Sequence, residues 1–162
     1  MKNKIIYLSF IGILLDQLIK EIVVNNFRLF ESVEIIKDFF SLTYVRNIGG
    51  AFGILEGNRF FFIIITVLFL GYFIHTIYKE KEEYFFKTLY YSMLLSGIIG
   101  NLIDRITRGY VVDFLHFKIF SYDFPVFNIA DIFIVVGIIF LFIDIVRSEW
   151  HEFKSRRRRN KN

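Results

Sequence analysis

The chain has 162 residues, 55% of them hydrophobic, and a net charge of +4. So apolar a composition excludes an ordinary soluble domain of this size and indicates an integral membrane protein. With no cysteine there is no disulfide framework, thiolate nucleophile or cysteine metal site, and His75, His116 and His151 lie too far apart for a histidine motif; neither a metal nor a cofactor is expected.

Four apolar stretches, residues 5–24, 59–78, 84–103 and 129–147, are each long enough to cross a bilayer, which takes about 20 helical residues. Lys2 and Lys4 precede the first like the basic end of a signal peptide. No small-residue cleavage site follows it, so it reads as a permanent span. No internal repeat appears, and the whole chain, 1–162, reads as one membrane domain.

Basic residues orient the spans. Lys2, Lys4, Lys79, Lys81, Lys87 and the tail 148–162, with Arg156-Arg157-Arg158-Arg159, fall on one side, which the positive-inside rule makes cytoplasmic. Such a cluster next to a span suits anionic lipid better than nucleic acid, and no nucleic-acid partner is expected. Both termini are then inside, and the connections 25–58 and 104–128 face outward.

The outer connections are rich in Phe, Tyr, Val and Ile. Phe40-Ser41-Leu42-Thr43-Tyr44-Val45 alternates large apolar and small polar residues, the mark of a half-buried strand. Residues 32–36 form a weaker candidate strand beside it, and 111–120 also reads as extended. A small extracytoplasmic sheet is expected. After it, residues 51–55 suit one turn of interfacial helix, hinged at Gly49-Gly50 as a lid. The predicted fold is thus a mainly α membrane protein with four transmembrane helices, a small β-sheet and a short interfacial helix.

With alternating span directions, Lys20, Asn101, Asp104, Arg105, Asn128 and Asp131 gather at the outer interface. Asp113 lies in the connection above them, and Asp16 sits about one turn of helix below Lys20 on the first span. Ionisable residues at a membrane edge are costly and mark functional candidates. Two carboxylates brought together, Asp113 and Asp131, can share a proton and activate water for attack on a peptide bond. Each could instead cap a helix or pair with an arginine.

Five motifs occur in order: Asp16-x-x-x-Lys20, Arg46-Asn47-x-Gly49-x-Ala51-Phe52-Gly53, Gly100-Asn101-x-x-Asp104-Arg105, Gly109-x-Val111-Val112-Asp113-Phe114 and Phe127-Asn128-x-Ala130-Asp131. Together they resemble the lipoprotein signal peptidase family, or signal peptidase II, from Asp16 to about Asp144. The resemblance implies a bacterial inner-membrane aspartyl protease. It would remove the signal peptide from prolipoproteins just before a diacylglyceryl-modified cysteine. It makes Asp113 and Asp131 the catalytic pair, surrounded by Asn47, Gly49, Asn101, Arg105, Asn128 and Ala130, with Asp16 and Lys20 as polar positions of the first helix. Lipid-modified prolipoproteins and membrane lipids are the implied partners, and a monomer is expected. The sequence departs from the family at Ser96-Gly97-Ile98-Ile99-Gly100-Asn101, where Gly-Gly-Ala-x-Gly-Asn is usual, and at Gly50, where Ala is frequent.

Each role has a plainer counterpart. Asp16 and Lys20, spaced i to i+4, also suit a simple intrahelical ion pair, and Asn128 suits a plain N-cap. Arg105 could hold a phosphate or carbonyl, or merely snorkel. Asp104 could pair with Arg105 or Arg108, and Asp144 is expected to be solvated. The rival function is a small proton-coupled carrier relaying protons through Asp113 and Asp131. It would need polar groups along a path through the inner leaflet, where the spans carry almost none.

Overall fold

The computed structural model describes residues 1–50, 55–81, 84–120 and 122–159. The elements run α1 (Lys2–Asn26), β1 (Ser32–Ile36), β2 (Phe40–Asn47), α2 (Arg59–Lys79), α3 (Phe85–Thr107), β3 (Val111–Ile119), β4 (Tyr122–Asp123) and α4 (Ile129–Arg159). The interfacial turn and lid expected at 51–55 lie, but for Leu55, outside the described residues.

Helix α3 is the centre of the bundle and packs against α1, α2 and α4. Small residues such as Ser96, Gly97 and Gly100 mark its closest approaches to α1 and α4, where they let backbones come near one another. Ser96 Oγ donates to Ser9 O of α1 (3.2 Å), and Ser9 Oγ to Ser92 O (3.3 Å). A side chain added at Gly137 of α4 would meet Leu94 Cγ at 2.7 Å, so that glycine permits the α3–α4 contact. Near the far end of the bundle Tyr90, Tyr91, Phe73, Ile77, Leu94 and Ile5 form an apolar core.

By length and composition, two helices among the described residues are apolar enough to cross a membrane, Arg59–Lys79 and Ile129–Lys154. Helices α1 and α3 have 25 and 23 residues but bury polar side chains against each other, among them Ser9, Asp16, Lys20, Ser92, Ser96 and Asn101. The outward face of α1 is apolar: Ile6, Phe10, Ile11, Leu14, Leu18 and Ile22 are all exposed, whereas α3 is covered along most of its length. That pattern suits helices whose polar groups must find partners inside protein rather than in lipid.

The four strands form one antiparallel sheet in the order β1-β2-β3-β4. The three expected strands are present, and a two-residue strand, β4, extends β3 into a hairpin. Val45 of β2 faces Asp113 of β3, Arg46 faces Val112 and Asn47 faces Val111. Tyr44, Val112 and Phe114 bury themselves against Val23 near the end of α1, which seats the sheet on the bundle.

Two helices run beyond the expected spans, and one expectation is corrected. The third helix continues past residue 103 to Thr107, so Asp104 and Arg105 lie on α3. It stops where Gly109 turns to φ 86° and returns its N–H to Asp104 O at 3.1 Å, a conformation glycine adopts without strain. The fourth helix does not end at 147: residues 148–159 of the basic tail continue it, because no glycine or proline interrupts them. Asp144 is not solvated but half-buried, accepting hydrogen bonds from Tyr84 Oη and from Tyr90 Oη, the latter at 3.1 Å.

Candidate active site

Asp113 sits near the start of β3, held in register against β2. Asp131 is the third residue of α4. Asn128, just before that helix, accepts from Asp131 N through Oδ1, and Asp131 Oδ2 accepts from Asn128 N, each at 3.0 Å. This reciprocal pair is a capping box, satisfying two N–H groups that a helix start otherwise leaves unpaired. The Asn128 side-chain amide has a second use. Its Nδ2 donates to Asp113 Oδ1 at 2.7 Å and to Asn101 Oδ1 at 3.1 Å. One buried asparagine thus links the two aspartates.

Each carboxylate has a further amide donor. Asn47 Nδ2 reaches Asp113 Oδ2 at 2.9 Å, and Asn101 Nδ2 reaches Asp131 Oδ1 at 2.8 Å. Asp113 is buried, whereas Asp131 is partly open. Burial, reinforced by the nearby charge of Asp131, pushes the Asp113 carboxyl up to about 7; the hydrogen bonds from Asn47 and Asn128 and the charge of Lys20 oppose this without cancelling it. Both aspartates line one cleft of about 600 Å³. Its other walls are mainly apolar and include Val45, Ile48, Val111, Phe124, Ile134 and Val135.

Below the aspartates lies a wholly buried ionic cluster. Lys20 Nζ meets Asp16 Oδ2 at 2.9 Å, Asp104 Oδ2 at 3.0 Å and Asn101 Oδ1 at 3.0 Å, which uses all three ammonium protons. Asp16 Oδ1 accepts from Ala130 N at 3.0 Å, so the first helix holds the second N–H of α4. Asp104 Oδ2 accepts from Val112 N at 3.1 Å, one residue before Asp113. The cluster therefore ties α1, α3, the start of β3 and the start of α4 to one another. Gly100 makes room for it, since a Cβ there would come within 2.5 Å of Asp16 Oδ2.

Arg105 stands beside the cleft. It donates to Gly49 O at 3.1 Å and packs over Phe62, 5.1 Å from the ring centre. Gly49 N in turn donates to Asn47 Oδ1 at 2.9 Å, which orients the Asn47 amide toward Asp113. All ten residues expected at the site, Asp16, Lys20, Asn47, Gly49, Asn101, Arg105, Asp113, Asn128, Ala130 and Asp131, are therefore joined in one network.

Three further residues adjoin the site: Asp104 and Arg46, both present in the sequence motifs, and Gln17, which sequence reasoning did not single out. Asp104 pairs with Lys20 and, at 3.3 Å, with Arg108. Gln17 Nε2 donates to Asp16, Asp104 and Gly100 O at 3.1–3.3 Å. Arg46 lines the cleft, with Nε bonded to Tyr44 Oη at 3.0 Å and its guanidinium 4.7 Å from the Tyr110 ring. The signal for Asp104 and Gln17 was the cost of polar groups within or beside apolar spans. That for Arg46 was its place next to Asn47.

The chain resembles known proteins over most of its length. The lipoprotein signal peptidase of Halothermothrix orenii is 45% identical over 139 residues, 86% of this chain and 92% of that protein. Those of Bacillus pumilus and Staphylococcus aureus are 40% and 39% identical over 139 and 135 residues, covering 86% and 83% of this chain and 90% and 83% of those proteins. A solved bacterial membrane enzyme, determined by the in meso method at 2.3 Å, superposes with a TM-score of 0.84 at 36% identity, covering 91% of this chain and 90% of that one. The family model for signal peptidase (SPase) II matches residues 8–147, and with these likenesses the chain belongs to the signal peptidase II family of aspartic endopeptidases.

Proposed function

We propose that the protein removes signal peptides from prolipoproteins in the bacterial cytoplasmic membrane, cutting before a diacylglyceryl-modified cysteine with Asp113 and Asp131 as the catalytic pair. The observation that carries this reading is Asn128 bonded to both aspartates at the edge of one largely apolar cleft. Under this reading all four long helices span the membrane, both termini are cytoplasmic and the cleft opens at the outer face. The buried polar seam between α1 and α3 supports the four-span arrangement, and the tail's basic charge supports the orientation. All the groups the reaction needs come from one chain, which supports a monomer.

In the proposed reaction Asp113 carries the proton at the start, since it is buried beside Asp131. A water between them gives a proton to Asp131 as its oxygen attacks the scissile carbonyl carbon. Asp113 passes its proton to the carbonyl oxygen, forming a tetrahedral diol. The diol collapses: one of its hydroxyls returns a proton to Asp113 as the carbonyl re-forms, the C–N bond breaks and the leaving nitrogen takes the proton held by Asp131. No covalent intermediate forms. Asn47, Asn101 and Asn128 keep the two carboxyl groups oriented, so little reorganisation accompanies charge movement. Apolar walls receive the signal helix and acyl chains, and that remote binding holds the peptide at the pair.

The test is incubation of the purified protein with a diacylglyceryl-modified prolipoprotein, analysed by mass spectrometry. A new N-terminus at the lipidated cysteine is expected. An intact precursor, or cleavage elsewhere, would refute the proposal.

A further inference from the structure

The family match ends at residue 147, yet α4 runs on without a break to Arg159. This extension is chemically unlike the rest of the chain. Of the 20 basic and 16 acidic residues, 7 and 2 fall in 147–162, leaving 13 and 14 for everything else. The net positive charge of the protein is therefore a property of this segment alone.

The charge is arranged on a helix. Trp150, Phe153, Lys154 and Arg157 follow the i, i+3, i+4, i+7 spacing and share one face, while Glu149, Glu152 and Arg156 share another. Trp150 and Phe153 stack with ring centres 6.1 Å apart, and Lys154 Nζ lies 5.1 Å from the Trp150 ring. Both rings are more than half exposed. Arg156 bonds Glu152 at 3.0 Å on the other face, so the aromatic face keeps its basic character.

Depth follows from helix geometry. At about 1.5 Å per residue, a helix that enters hydrocarbon near Ile129 has crossed a core of about 30 Å by residue 149 or so. Trp150 and Phe153 then stand at head-group level, where amphipathic rings concentrate. Lys154 stands about 6 Å beyond Trp150, and Arg157 about 6 Å beyond Phe153, each within the roughly 8 Å screening length of the head-group charge at physiological salt. A basic, aromatic surface at that depth is complementary to anionic lipid.

We propose that the extension 148–159 is a binding surface for anionic phospholipid head groups of the cytoplasmic leaflet, with Trp150 and Phe153 set in the interface and Lys154 and Arg157 holding phosphate. The leaflet assignment rests on the orientation given under Proposed function. The head-group contact itself does not depend on proteolysis.

Trp150 is the single tryptophan of the chain, so its emission reports this surface directly. The full-length protein is placed in nanodiscs of phosphatidylcholine alone and of phosphatidylcholine with rising phosphatidylglycerol. A blue shift that grows with phosphatidylglycerol and weakens in high salt is expected. In R156Q/R157Q/R158Q/R159Q the same shift should need severalfold more phosphatidylglycerol, and K154Q/R157Q should show a smaller change of the same sign. Emission that ignores lipid charge, or quadruple-variant emission that matches wild type, would overturn the proposal. So would a shift produced by an RNA oligonucleotide but not by phosphatidylglycerol. Nanodiscs expose both faces, so this readout is independent of orientation. Orientation is tested separately with a membrane-impermeant quencher outside sealed right-side-out vesicles; quenching of Trp150 there would refute the cytoplasmic assignment alone. Failure of proteolysis would leave both readouts untouched.

Discussion

The side-chain amide of Asn128 donates to Asp113 Oδ1 at 2.7 Å while its carbonyl oxygen caps the N–H of Asp131 at 3.0 Å. One side chain therefore sets both the start of α4 and the placement of two carboxyl groups that come from different elements. Asn128→Ala is expected to cost about 1 kcal/mol of stability through the lost cap. It should also lower turnover of lipidated precursor by about a hundredfold through lost orientation. Thermal unfolding and single-turnover cleavage check the two effects separately; unchanged turnover would remove Asn128 from the proposed site.

Asp113→Asn and Asp131→Asn should each abolish cleavage with the fold retained, because each removes half of an acid–base pair at nearly constant volume. Circular dichroism and cleavage of a lipidated precursor decide this. Near-normal cleavage by either variant would exclude that residue from catalysis.

The Asp113 carboxyl, pushed up from 3.8 to about 7, predicts two pH dependences. As the proton donor it should cause kcat/KM to fall as pH rises through about 7, by up to about tenfold per unit. For stability the sign follows from proton binding. The folded protein binds this proton more tightly than the unfolded chain, so the contribution is fullest below about 4 and is lost as pH rises to about 7. Asp113→Asn should flatten that slope and raise Tm above pH 7. Melting curves from pH 4 to 8 test it, and parallel curves for variant and wild type would contradict it.

Lys20→Met should destabilise the protein by about 3–5 kcal/mol, because it leaves Asp16 buried without a cation and Asp104 with only Arg108 at 3.3 Å. Adding Asp16→Asn and Asp104→Asn to the same protein should recover much of the loss. Thermal unfolding in one detergent compares the variants, and no recovery in the triple variant would show that charge burial is not the cause.

Cleavage should depend on the diacylglyceryl group. Acyl chains bury apolar surface worth about 0.8 kcal/mol per methylene, so precursor lacking them should lose at least about a hundredfold in kcat/KM. Equal kcat/KM for the lipidated and unlipidated forms would indicate a general membrane protease instead.

Much of this was legible in the linear chain because the signals were local. Runs of apolar residues marked the long helices, and alternation in Phe40-Ser41-Leu42-Thr43 marked β2. Cost marked the candidate site: polar residues such as Asp16, Lys20 and Asn101 within long apolar stretches call for partners inside the protein. The continuation of α3 to Thr107 was missed because polarity at Asp104 and Arg105 resembles a helix end. Burial against Lys20 and the turn at Gly109 overrode it. Asp144 was misjudged because nothing local foretold that Tyr84 and Tyr90, more than fifty residues away, would meet it.

Residue type and order by themselves determined a helical membrane chain, the helix positions to within a few residues except for the far end of α4, and a set of polar groups able to do chemistry. Only the tertiary structure decided how those groups are joined. Lys20 could have served Asp16 alone, yet it also holds Asp104 and Asn101. Asn128 could have been a cap alone, yet it also links Asp113 to Asp131. Hydrogen bonds act over about 3 Å and are blind to sequence separation, so their partners are set by which helices pack. Here that packing is set by the small residues of α3.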